Sequence, residues 1–87
     1  MDAVVILEGS IGPVEAVDLR VQLADATNRP RPHVHLDLQQ VTDLHLSAVA
    51  AIIAGTLNAR RRSGTFVIMP PDASAPRREL ELSLIHI

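Results

Sequence analysis

An α/β layer fold is the class this sequence predicts, and three observations predict it. Residues 33–38, "HVHLDL", alternate apolar and polar side chains, the period of a half-buried strand. Two segments, one on either side of that run, carry apolar residues at helical spacing, and short β-branched runs lie beyond each. Strands alternating with helices in this way build a layered sheet with crossover connections.

In chain order, "VVIL" at residues 4–7 reads as a buried strand closed by Glu8 and Gly9, and "GSIGP" supplies a turn. From Val14 the spacing predicts a helix whose core stripe is Val14, Val17, Val21 and Ala24, widened by Leu19 and Leu23. Pro13 suits its first position, where a missing amide costs nothing, and "TNRPRP" ends it. The alternating run sends Val34, Leu36 and Leu38 to one face and His33, His35 and Asp37 to the other. The helix between these two strands implies a right-handed βαβ crossover. After a connection "QQVTDLHL", a second helix spans residues 47–62, with Ser63 and Gly64 as its stop and arginines in its last turn. "TFVIM" is a third strand. Pro76 opens a short third helix, and "LSLIHI" forms a fourth strand. The 87 residues make a single domain, 1–87, with no linker or internal repeat.

Composition narrows the function classes. Mean hydropathy of +0.21 is that of a packed chain. Eight basic residues against ten acidic ones give a net charge of -2, which offers nucleic acid no general attraction, and the arginine clusters read as solvated helix ends. The absence of cysteine excludes disulfides and thiolate chemistry and fits a reducing compartment. No apolar run reaches about 18 residues, and no basic region precedes "AVVILEG", so direct membrane insertion and a signal peptide are not expected and the expected location is cytoplasmic.

The candidate site lies where a strand hands over to a helix, in "VTDLHLSAVAAII". Ser47 can cap the exposed amides of the helix that follows. The same amides and the helix dipole would favour an anion or a phosphate attached to its hydroxyl. His45 can bond the loop or such a phosphate, and Asp43 can act as a turn acceptor. A serine, a histidine and an aspartate close in sequence do not make a catalytic triad, which needs base and nucleophile in contact. His33, His35 and Asp37 share a strand face, yet nothing in the sequence closes a metal site around them. Gly9 and Gly12 lack a phosphate-loop fingerprint, and Glu79 and Glu81 have no acidic partner at catalytic spacing. No enzyme activity, metal or cofactor is expected.

The segment "HLDLQQVTDLHLSAVAAII" resembles the central part of STAS domains, the family that includes anti-sigma-factor antagonists, where a strand of the type "vvlDLsgV" precedes an "iDSSGl" helix start. Asp37, Leu38 and Val41 match the strand, Leu44 matches the apolar loop position, and Ser47 falls on the second serine. His45 stands where the family has aspartate, Leu46 where it has the first serine, and Ala48 where it has glycine, so the phosphoacceptor loop is degenerate. "VVILEGSIG", "GTFVIM" and "LELSLIHI" extend the likeness over most of the chain.

The resemblance implies a STAS-like layer fold of about four strands and three helices, without the family's usual first strand and last helix. It implies a non-enzymatic domain that regulates a bacterial anti-sigma factor or serine kinase. Ser47 would be its phosphoacceptor, and Asp43, Leu44, His45, Leu46 and Ala48 its switch loop and partner contact. The alternative it implies is a constitutive accessory subunit of a lipid-transport ATPase or another complex. A sheet edge left open by the missing strand would suit a homodimer or a partner's strand.

Overall fold

The computed structural model describes residues 2–72. Three strands and two helices follow one another as β1 (Asp2–Ile11), α1 (Pro13–Thr27), β2 (His33–Leu44), α2 (Leu46–Arg61) and β3 (Thr65–Met69). The strands form one sheet in the order β1-β2-β3, with both pairings parallel. The fold class is α/β, a sheet layer under a helix layer, as the alternation of patterns predicts. The third helix and fourth strand expected near Pro76 and "LSLIHI" lie outside the described residues.

β2 is the centre of the molecule. Val34, Leu36 and Leu38 are buried on one face, where they meet Leu19 and Leu23 of α1 and Ala48, Val49 and Ile52 of α2 in one core cluster. Both helices therefore cover the same side of the sheet. On the other side the register sets Val4, His35 and Val67 in one row and Ile6, Asp37 and Met69 in the next.

β2 runs six residues further than its alternating core, because the period of two is broken twice. Its pairing with β1 shifts register between Ile6 and Glu8 and again between Gly9 and Ser10. Each shift changes the inward position by one residue, so Val41 and Leu44 join Val34, Leu36 and Leu38 in the core. Asp37 serves the first irregularity: its Oδ1 accepts the Gln39 backbone N–H at 3.0 Å. Gly9, at φ 74, serves the second, a conformation that costs glycine little. The expected turn at "GSIGP" is thus mostly strand, and only Gly12 separates β1 from α1.

α1 departs from expectation in its orientation. Ala16, Leu19, Leu23 and Thr27 are buried, whereas Val14, Val17 and Val21 are 76%, 63% and 57% exposed. The helix has two apolar stripes, and the one with the larger leucines faces the sheet, since burial stabilises in proportion to apolar area. Thr27 closes the inner stripe without leaving a polar atom unpaired. Its hydroxyl donates to the Leu23 carbonyl at 2.7 Å and accepts from Asn58 Nδ2 of α2 at 2.7 Å.

α2 begins one residue earlier than its pattern suggests and ends in a Schellman motif. Ser63, at φ 60, turns the chain. Its N–H donates to Arg60 O, and the Gly64 N–H reaches back to Ala59 O at 2.9 Å. Glycine stands one place beyond its usual position here because a side chain at residue 64 would overlap the Pro32 carbonyl oxygen. The same oxygen accepts the Thr65 N–H at 2.7 Å and aligns β3 beside β2. Gly55 is a second close approach, in mid-helix: a Cβ there would lie 3.1 Å from Phe66 and 3.3 Å from Leu23.

Candidate functional site

The β2–α2 junction is held from beneath. The ladder between β1 and β2 continues to Ile11 and Leu44, and the His45 N–H then donates to Ile11 O at 2.9 Å. Leu44, Ala48 and Val49 point inward and are buried. These anchors leave Asp43, His45, Leu46 and Ser47 exposed at the surface. Of the expected contact residues, Leu44 and Ala48 therefore support the loop from the core, while the other side chains face solvent.

His45, not Ser47, is the N-cap of α2. It has extended backbone angles, φ -66 and ψ 150, and Leu46 is the first helical residue. Its carbonyl takes the first helical hydrogen bonds, from the N–H groups of Ala48 at 2.9 Å and Val49 at 3.1 Å. Its ring nitrogen Nδ1 accepts the Ser47 N–H at 3.1 Å and lies 2.7 Å from Ser47 Oγ. Accepting that amide requires the lone pair on Nδ1 and hence the proton on Nε2, so the Ser47 hydroxyl is the donor of the shorter bond.

From the sequence, serine is the expected cap because the usual capping side chains carry oxygen. The missed signal is geometric: Nδ1 of histidine is bonded to Cγ just as a carboxylate oxygen of aspartate is. A histidine immediately before a helix can therefore make an aspartate-like cap. As second helical residue, Ser47 is left with its hydroxyl at the surface beside a nitrogen base.

The strand histidines are used otherwise. His33 Nδ1 bonds Thr65 Oγ1 at 2.8 Å, across β2 and β3, and Asp37 is engaged with Gln39. Among the described residues, no group of three or more His, Cys, Asp and Glu side chains is arranged to hold a metal ion. None of the described helices is long and apolar enough to cross a membrane.

A separate open groove of about 370 Å³ runs between α1 and α2, floored by Ala24, Ala51, Ala54 and Gly55 and flanked by Arg20 and Arg61. Small side chains at the helix crossing leave this space.

Three parallel strands under two helices, with an exposed serine at the start of the second helix, form the frame on which comparison with known families bears. A family model described as "Mlab, STAS domain" matches residues 1–85. This chain belongs to the STAS family. No curated protein matches it. STAS domains are generally non-catalytic and act through protein–protein contacts, and this member carries the family's α/β layer. In this STAS chain His45 occupies the place the sequence likeness gives to aspartate, and its Nδ1 accepts the bonds that an aspartate oxygen there could accept.

Proposed function

We propose that this STAS domain regulates a bacterial anti-sigma factor or serine kinase by binding it through the exposed start of α2, and that Ser47 is the phosphoacceptor that switches the binding. The observation that carries this reading is the 2.7 Å hydrogen bond from Ser47 Oγ to His45 Nδ1. A phosphoryl donor such as ATP, bound by the partner, would be attacked by Oγ. As the new O–P bond forms and the bond to the ADP leaving group breaks, His45 accepts the hydroxyl proton. Chemistry is done to this domain by its partner.

The product has the logic of a switch. Phosphate adds about -1.5 to -2 charges at neutral pH, close to Leu46, which is 65% exposed and is the large apolar side chain of the contact surface. A partner that buries Leu46 would then have to desolvate the phosphate as well, and would be released. The N–H groups at the helix start would stabilise the modified state.

A second reading, accessory subunit of a lipid-transport ATPase, is favoured by the family description that names Mlab. There the same exposed surface binds constitutively and Ser47 stays unmodified. Both readings set the domain to work in the cytoplasm.

Intact-mass analysis of the protein recovered from its native cells with its partners separates the two. Phosphate on Ser47 in the free pool and absent from the partner-bound pool is the expected result. Unmodified Ser47 in every pool, with a stoichiometric ATPase complex and unchanged binding by Ser47→Ala, would overturn the switch in favour of the subunit.

A further inference from the structure

The outer stripe of α1 has no partner among the described residues, and its pattern states what fits it. Val14, Val17, Val21 and Ala24 follow the a, d, a, d spacing of a heptad, and the three valines are more than half exposed. Pro13 and Arg20 fall at g, and Asp18 and Asp25 at e. Arg20 stands on the groove side of the stripe, and Arg61 of α2 lines the same groove. Asp18 and Asp25 stand on the far side, and all four charged residues are exposed. The stripe is thus bordered by positive charge on one side and negative charge on the other.

We infer that α1 is a self-association surface, and that a second copy of this chain packs its own α1 against it in parallel about a two-fold axis. In that arrangement a g residue faces the e residue five positions later on the other helix. Arg20 then meets the second copy's Asp25, and the symmetry repeats the pair. The acidic border also approaches Arg61. An antiparallel pair would bring the two Arg20 side chains together and set the acidic borders against each other, so the charges select the parallel arrangement. A net charge of only -2 opposes the meeting of two copies weakly.

The helix is already ordered by its leucine stripe, so pairing requires no new helix to form. Two heptads with valine and alanine at the d positions bury little area, which sets the dimer among weak complexes that form on the order of 100 µM. This surface is independent of the Ser47 reading, and neither depends on the other.

Sedimentation velocity of the full chain from about 10 µM to about 1 mM tests the inference. The wild type is expected to form a reversible dimer. Arg20→Asp and Asp25→Arg should each weaken it about tenfold or more, since each opposes like charges across the pair. Mixing the two variants should restore association as a heterodimer, because each then supplies the charge the other lacks. Val21→Glu should abolish the dimer while leaving the unfolding midpoint near that of the wild type. A wild type that stays monomeric throughout would overturn the inference. So would variants that fail to rescue one another, or a dimer unaffected by both charge changes, as pairing through the outer edge of β1 would give.

Discussion

At the scale of single residues, the junction depends on one imidazole nitrogen. His45 Nδ1 satisfies the Ser47 amide at a helix start, and removing such a cap costs about 1 kcal/mol. His45→Ala is therefore expected to lower stability by that amount in urea titration, and His45→Asn to retain most of it, because the amide oxygen can take the same N–H. Ser47→Ala removes only an exposed hydroxyl and should change stability by less than about 0.5 kcal/mol. The contrast separates the two residues: His45 holds the start of α2, and Ser47 contributes little to its stability. The serine and histidine could be picked out by their position at the strand–helix boundary. Their division of labour could not, because propensity rankings place serine far ahead of histidine as a cap.

At the scale of elements, the end of α2 offers a sharper test than its start. Ser63 holds a left-handed conformation at φ 60, which costs a residue with a Cβ roughly 1–2 kcal/mol and costs glycine almost nothing. Ser63→Gly should raise stability by about 1 kcal/mol, read as a shift of the urea midpoint at unchanged slope. Gly64→Ala should do the reverse by about 2 kcal/mol or more, since the added methyl meets the Pro32 backbone that aligns β3. On α1, Leu23→Ala should cost about 2–5 kcal/mol, while Val17→Ser, on the outer stripe, should leave monomer stability nearly unchanged. Element existence was legible here: β3 has the predicted bounds, and both helices lie where periodicity puts them. Facing was not. α1 has two apolar stripes at helical spacing, and only contact with the sheet decides which is inner. The length of β2 was hidden for a related reason: its two register shifts break the alternation that marks a strand, so Val41 and Leu44 read as loop.

At the scale of the molecule, β2 is the element every other described one leans on. Both neighbouring strands pair with it, and the core side chains of both helices meet over Val34, Leu36 and Leu38. A molecule built this way should unfold as one cooperative unit, with probes placed on α1 and on α2 reporting the same transition. Leu36→Ala, at the centre of the cluster, should lower both together by about 2–5 kcal/mol. Separate transitions for the two helices would mean that they do not share one core. The fold class was readable because alternation and helical spacing survive in the centre of each element. The family likeness was readable because the β2–α2 segment keeps Asp37, Leu38, Val41, Leu44 and Ser47 at matching positions.

The parallel pairing of the described strands also bears on how the chain acquires its shape. Neither pair of neighbouring strands is joined by a hairpin; the contact between His33 and Thr65, for example, spans 32 positions. Each strand must wait for a whole helix to be laid down before it meets its mate, so the chain closes through long loops and slowly for its size. During synthesis β1, α1 and β2 emerge first and can assemble while β3 is still inside the ribosome. In that interval the second edge of β2 stands bare with its apolar side chains half covered, and this nascent intermediate offers a strand edge to other chains that the folded β2 no longer offers.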